Sequence, residues 1–294
     1  MDTHARMKVG IAQIDSRLGD LQHNLQLHLQ QVSKAREAGV ELLLFPELSL
    51  TGYSLGALVP TVAMARNAPM VLALAEAAGD MTVVFGMVEE GPAAQFYNAS
   101  VVVRRGRVLH LHRKLNLPTY GRLEEGKLFA QGQHIDTVAL QAPWTAGLLI
   151  CADLWNPALV HLAMQQNATL LLAPVNSALD AVSDEFSNPA GWDLAVRFYA
   201  MTYGVPVLMA NRVGTESGAR FWGGSRIVGP KGDVLAQCPD DSSCLLTAEL
   251  DYGAVRQARF TLPTLRDANL PLVQREFNRL AALPQGTGLT ERPE

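Results

Sequence analysis

Cys151, Glu47 and Lys114 are the side chains whose types and placement could do covalent chemistry. Cys151 lies in GLLICADLW, where an apolar strand signal gives way to a helix signal beginning near Pro157. A strand-to-helix turn exposes a side chain and aims main-chain N–H groups at one spot, which suits both a thiolate and a developing oxyanion. Glu47 ends a second apolar run in LLLFPELSLTGY, with Pro46 and the following Ser-Leu-Thr-Gly marking a loop. A carboxylate is thereby held at the carboxyl edge of a buried strand, where open α/β sheets place ligands and where a general base could work. Lys114, in HLHRKLNLPTYG, is pinned by a strand on one side and Pro118 on the other. It has less entropy to lose in pointing at a site, and could steady a negative tetrahedral oxygen. Each residue also has a plainer role: a buried cysteine acting as a small hydrophobe, a solvated loop glutamate, and a surface lysine beside Arg113.

The elements that would position these residues read as alternating strand and helix. Residues 7–14 (MKVGIAQI) alternate as a strand, Leu21, Leu25, Leu29 and Val32 recur at helical spacing until Gly39, and 40–45 (VELLLF) returns as a buried strand. This is a βαβ unit. A helix over 69–78, strands over 82–87, 97–104 and 108–112, a strand over 145–151, a helix over 157–167 and a strand over 169–173 continue the pattern. A long helix through 192–203 leads to a strand over 205–211, and 225–228, 234–237 and 244–250 read as a closing meander with turns at PKGD and PDD. No Pro/Gly/Ser-rich linker divides the chain, so one α/β domain with mixed sheets is expected over 1–283. Leu270, Val273, Phe277, Leu280 and Ala281 form one stripe on a helix over 268–283, expected to pack as an arm on the body or on a second subunit. The polar tail 284–294 is expected to fray.

Composition removes several function classes. At 294 residues with 48% apolar content the chain can hold a full core without staples. Its 24 basic and 28 acidic residues give a net charge of −4, and no basic block could neutralise a run of phosphates, so nucleic acid is not an expected partner. No apolar run approaches the roughly 20 residues that a bilayer requires, and the N-terminus enters a strand without a signal-peptide pattern, so no membrane partner and a cytoplasmic location are expected. Three cysteines are an odd, sparse count, and Cys238 and Cys244, flanking the Pro-Asp-Asp turn, are expected to stay reduced thiols. His110 and His112 share a strand face with no third ligand in view, which predicts an exposed strand face and no metal. Trp155 could line a pocket or fill a helix–sheet seam. Asn176 and Ser177, at a strand end, could read substrate polar groups or cap a turn. Arg197 reads as a structural ion-pair partner.

The segments FPELSLTGY, HRKLNLPTYG and ICADLWNP together resemble the nitrilase superfamily of carbon-nitrogen hydrolases, whose members carry a Glu-Lys-Cys triad in that chain order. The separations, 114 − 47 = 67 and 151 − 114 = 37 residues, fit that layout. KVGIAQIDSRLGDLQHNL and ANRVG extend the likeness over most of 7–260. The resemblance implies an α/β fold of the nitrilase type, an αββα sandwich of two mixed sheets, with no metal and no organic cofactor. It implies Glu47 as the base, Cys151 as the nucleophile that forms an acyl-thioester, and Lys114 with a main-chain N–H near Cys151 as the oxyanion holder. A second glutamate after the lysine maps to Glu125, with Glu124 as the alternative. Tyr120, Ala152, Trp155, Asn176 and Ser177 complete the candidates for lining or supporting the site.

LPTYG and the EExxxF spacing resemble the glutaminase part of glutamine-dependent NAD synthetases. In those relatives the residue after the cysteine is usually acidic, whereas here it is Ala152, so a substrate ammonium would lack a partner. One domain accounts for the length and no Ser-Gly-Gly pyrophosphate loop appears, which favours a stand-alone amidase acting on a small linear amide. A nitrilase, an N-carbamoyl hydrolase, a glutaminase subunit feeding a separate synthetase, and a non-catalytic relative that binds a metabolite or partner remain as alternatives. Family members commonly pair their sandwiches, so a homodimer or larger homo-oligomer is expected.

Overall fold

In the computed structural model, which describes residues 5–283 apart from 184 and 240, the opening pattern folds as a parallel unit. β1 (Arg6–Gln13) leads to α1 (Leu21–Glu37), and β2 (Leu42–Leu44) returns parallel to β1. Asp20 caps α1 by accepting from the His23 N–H, satisfying one of the orphan donors of the first turn. After the short α2 (Val59–Val62) and α3 (Pro69–Ala78), β3 (Thr82–Glu90) pairs parallel with β2. β4 (Phe96–Arg104) and β5 (Arg107–Arg113) add antiparallel neighbours.

The second half opens with the short α4 (Glu125–Leu128), β6 (Thr137–Ala139) and β7 (Thr145–Leu148). α5 (Pro157–Gln165), β8 (Leu170–Val175), α6 (Asn188–Tyr203) and β9 (Val207–Asn211) follow. A two-stranded hairpin of β10 (Val213–Glu216) and β11 (Ala219–Trp222) precedes β12 (Arg226–Val228), β13 (Val234–Gln237) and β14 (Cys244–Asp251). α7 (Tyr252–Thr261) and α8 (Leu270–Ala281) close the described chain.

The strands form two six-stranded mixed sheets, ordered β14-β1-β2-β3-β4-β5 and β13-β12-β9-β8-β7-β6. Val9, Ile11, Leu44 and Val84 of the first sheet meet Ala146, Leu148, Leu172 and Leu208 of the second in a fully buried layer. The outer face of the first sheet is covered by α1 and α3, and that of the second by α5 and α6. The layer order is therefore αββα, as the resemblance implied. Among the described residues no helix is long and apolar enough to cross a membrane.

Three local expectations need correcting. The closing meander does not form: β12 and β13 pair, but β14 crosses to the other sheet and pairs antiparallel with β1 from Arg6↔Asp251 to Gln13↔Cys244. This covers an edge that would otherwise leave β1 half unpaired, and turns Leu246, Ala248 and Leu250 toward the inter-sheet core. The strand read over 145–151 stops at Leu148, because Leu149 and Ile150 are equally buried in a non-strand segment that apolarity alone cannot distinguish. The face of β5 carrying His112 is not exposed: His112 is buried, with Nε2 3.3 Å from Asp153 Oδ2. α8, read as an arm on the body or on a second subunit, has no buried residue.

The crossover from β13 to β14 brings Cys238 and Cys244 sulfur to sulfur at 2.7 Å. Arg197 pairs with Asp193 at 3.4 Å and donates to the Gly232 carbonyl. The tail 284–294 and Asp240 of the PDD turn lie outside the described residues.

Candidate active site

Glu47, Lys114 and Cys151 follow the carboxyl ends of β2, β5 and β7, so strand ends from both sheets supply one cluster. Glu47 is fully buried, and the chain turns immediately after it through Leu48 at φ 48°. That turn lies against β3 at Gly86, where a Cβ would come within 2.1 Å of the Leu48 nitrogen. Only glycine lets the Glu47–Leu48 backbone approach so closely. Lys114 is fixed at the end of β5 by its own N–H donating to the Asn98 carbonyl at 2.8 Å. Cys151 sits at φ 46°, in a conformation disfavoured for a side-chain-bearing residue, at the start of a single 3₁₀ turn, Cys151–Trp155.

Asp153 stitches the lysine and cysteine segments together. Its Oδ1 accepts from the Leu115 and Asn116 N–H groups at 3.0 and 2.7 Å, and its Oδ2 from the Ile150 N–H at 3.0 Å. The same carboxylate faces His112, which explains why that histidine is buried.

The Lys114 ammonium, fully buried, donates to Glu47 Oε1 and to Glu125 Oε1, each at 2.6 Å. Asn98 Nδ2 donates to Glu47 Oε1 at 2.7 Å and lies 3.3 Å from Glu125 Oε2. The Tyr53 hydroxyl donates to Glu125 Oε1 at 2.6 Å. Glu47 Oε2 is buried and accepts no hydrogen bond, as is Asn176 Oδ1, while Asn176 Nδ2 donates to the Glu47 carbonyl at 2.9 Å. Asn98 Oδ1 is likewise buried without a partner, so three acceptors of this cluster stay open.

The electrostatics follow from burial and from these partners. Burial alone would lower the Lys114 ammonium, but the Glu125 and Glu47 carboxylates outweigh it and hold the pKa well above the ordinary lysine value. Burial pushes the Glu125 carboxyl up to about 7 against the pull of Lys114, with the Glu47 charge adding to the rise. Burial also pushes the Cys151 thiol well up, reinforced by Glu47 and opposed by Lys114 and by a hydrogen bond from the Asn176 backbone. Cys151 therefore rests as a thiol, and needs a base to act as a nucleophile.

Glu125 is the buried glutamate of this cluster, whereas Glu124 is exposed and paired with Lys127 at 2.6 Å. Tyr120, Ala152, Trp155, Asn176 and Ser177 all line one narrow cavity of about 30 Å³ with Tyr53, Glu125, Cys151 and Trp192. Trp155 does both things considered for it, facing the cavity while its ring meets Trp192 edge-on at 5.0 Å. Ser177 is anchored through its main chain, its N–H donating to Asn211 Oδ1 at 2.9 Å and its carbonyl accepting from Asn211 Nδ2 at 3.2 Å. Sequence reasoning missed Tyr53, Asn98 and Asp153. Tyr53 and Asp153 stand inside the quoted motifs, but Asn98 lies in a strand with no motif around it. Among the described residues no group of three or more His, Cys, Asp or Glu side chains is arranged to hold a metal ion.

Comparison with known proteins finds relatives in sequence and in fold. The chain is 29% identical over 252 residues to a glutamine-dependent NAD(+) synthetase from Thermotoga maritima, covering 84% of this chain but 42% of that protein. The chain thus spans less than half the length of that relative. It is also 29% identical over 269 residues to an (R)-stereoselective amidase from a Pseudomonas species, covering 90% and 93% of the two chains. Among solved structures, the E41Q mutant of an amidase from Nesterenkonia sp. AN1, described as showing covalent addition of the acetamide moiety of fluoroacetamide at the active-site cysteine, superposes with a TM-score of 0.76 at 26% identity, covering 92% of this chain and 96% of that one. The carbon-nitrogen hydrolase family profile matches residues 8–260, a span that contains every residue of the buried cluster and both sheets but for the first two residues of β1, and the chain belongs to that family.

Proposed function

We propose that this carbon-nitrogen hydrolase cleaves small, uncharged linear amides through an acyl-thioester on Cys151, releasing ammonia or an amine. The observation that carries the reading is the buried Glu47 Oε2, which accepts no hydrogen bond while Oε1 is held by Lys114 and Asn98. A carboxylate oriented through one oxygen and open at the other can take the Cys151 proton as sulfur attacks the carbonyl carbon. The proton passes to the departing nitrogen as the C–N bond breaks, and Glu47 then takes a proton from the water that hydrolyses the thioester. Lys114, with a main-chain N–H beside Cys151, steadies the oxygen that becomes negative in both steps.

The cavity supports a small neutral substrate. Its described lining carries no charged side chain beyond Glu125, which Lys114, Tyr53 and Asn98 already engage. The α-ammonium of glutamine would find no anionic partner there, which favours simple amides over the glutaminase reading that the synthetase likeness raises. The test is ammonia release across aliphatic amides, ω-amides, glutamine, nitriles and carbamoyl compounds. Turnover of short neutral amides is the expected result. Turnover confined to glutamine, nitriles or carbamoyl compounds would overturn the substrate assignment.

We also propose that α8 packs on a second copy of this chain. Its stripe leaves Leu270 45%, Phe277 57% and Leu280 46% exposed, and the connection to it is tied to the end of α6 by Thr264 donating to the Thr202 carbonyl. α6 itself presents Leu194, Phe198 and Met201 uncovered, so two neighbouring apolar faces of one chain await a partner with the same faces. Sedimentation equilibrium is expected to give a dimer or larger assembly, shifted toward monomer by Phe277→Glu with Leu280→Glu. A monomeric wild-type chain would exclude the interface.

A further inference from the structure

We infer that Glu216, which does not line the cavity and meets the Tyr53 segment only through main-chain N–H groups, is a positioning residue that sets the Tyr53 hydroxyl on Glu125. Glu216 ends β10 and is only 5% exposed. Its Oε1 accepts from the main-chain N–H groups of Tyr53 at 3.0 Å and Ser54 at 2.6 Å. Its Oε2 accepts from Arg212 Nη1 at 2.6 Å. Arg212 is fixed in turn, with Nη2 donating to Asp15 Oδ1 at 3.0 Å and to the Ser16 carbonyl at 2.8 Å, and with its guanidinium 4.4 Å above the Phe221 ring. Both oxygens of Glu216 are therefore engaged, one by a braced cation and one by the loop that carries Tyr53.

The loop has little freedom to sit elsewhere. Gly52 adopts φ +83°, and a Cβ there would lie 2.8 Å from the Leu18 Cα and 3.0 Å from Glu216 Oε2. The backbone is seated directly on the carboxylate, and from that seat the Tyr53 ring reaches Glu125. A hydroxyl bonded at 2.6 Å loses most of its interaction if its backbone shifts by about 1 Å, so the carboxylate's grip on two N–H groups fixes the geometry of a third bond. Because the Tyr53 bond favours the charged form of Glu125, loosening it moves the Glu125 titration to higher pH.

The test pairs Glu216→Asp, which keeps the charge opposite Arg212 but withdraws the carboxylate by one methylene, with Tyr53→Phe and the double variant. Hydrogen exchange at the Tyr53 and Ser54 amides reads the anchor directly. The rate of Cys151 alkylation by iodoacetamide against pH, followed by peptide mass spectrometry, reads the coupling without any substrate. Glu216→Asp is expected to speed exchange at both amides at least tenfold. It is also expected to change the alkylation rate at pH 7 at least threefold in the same direction as Tyr53→Phe, with no further change in the double variant. An unaltered alkylation profile, or an effect that multiplies in full with that of Tyr53→Phe, would reduce Glu216 to a structural residue and overturn the inference. Should Glu216→Asp fail to fold, Glu216→Gln enters the same cycle under the same criteria. The inference rests on the hydrolase reading only for its consequence in catalysis. Absence of labelling at wild-type Cys151 would count against that reading, while amide exchange would still decide the anchor.

Discussion

Replacing Cys151 with alanine is expected to lower amide turnover by at least about 10⁴-fold, the scale on which removal of a covalent nucleophile acts in hydrolases that work through one. The fold should survive: the residue is partly exposed at the cavity, the substitution removes one sulfur, and alanine at φ 46° is no more strained than cysteine. Cys151→Ser should be almost as inactive. Burial and the Glu47 charge already push the Cys151 thiol well up, and the less acidic serine hydroxyl would ask more of the same base. The check is continuous ammonia release by both variants, beside a quenched wild-type reaction in which the peptide containing Cys151 gains the mass of the acyl group. An alanine variant retaining even a few per cent of wild-type turnover, or an acyl mass on another residue, would remove the thioester from the mechanism.

What could be read in the sequence depended on how local its cause is. The three strand ends were legible because each is a short apolar run broken by Pro or Gly signals, and their chain order matches a known family. The pairing of Glu125 with Lys114 was read only through the family likeness, with Glu124 left as the alternative, because two adjacent residues carry no local signal of which is buried. It depends on the turn that buries one side chain and leaves its neighbour in solvent beside Lys127. Asn98 was invisible because a polar residue in a β-strand carries no signal of what stands on the next strand. The grip of Glu216 on Tyr53 spans 163 residues, and only the folded hairpin brings the two together. The crossing of β14 to β1 was hidden for the opposite reason: its alternation is ordinary, and either sheet could have accepted it. α1 and α3 were legible because apolar residues recur at helical spacing and end at Gly39 and Gly79, whereas α6 begins four residues before the expected 192, capped by Ser187.

Substituting methionine for Lys114 should damage both stability and activity, because it leaves two carboxylates buried with no cation between them. Breaking a buried ion pair by deleting one partner typically costs about 3–5 kcal/mol. Here the ammonium serves both Glu47 and Glu125 at 2.6 Å. The wild-type lysine is held well above its ordinary value, so its stabilising contribution is complete at every pH below about 10.5 and is lost only as the pH rises through the higher folded-state value. The variant behaves differently. Without the cation, at least one of the carboxyls keeps a proton in the folded state that it releases on unfolding, and stability falls as the pH climbs above the carboxylate range. Glu125 already shows that sign in the wild type, where its proton is retained between about 4.5 and about 7. The melting temperatures of wild type and Lys114→Met are therefore expected to lie close together near pH 5 and to separate by several degrees toward pH 8. Turnover should fall by roughly 10²–10³-fold at pH 7, the usual effect of removing one donor to a developing oxyanion. A melting-temperature gap that narrows with rising pH would show that Lys114 does not neutralise these carboxylates, and unchanged turnover would show that it does not serve the oxyanion.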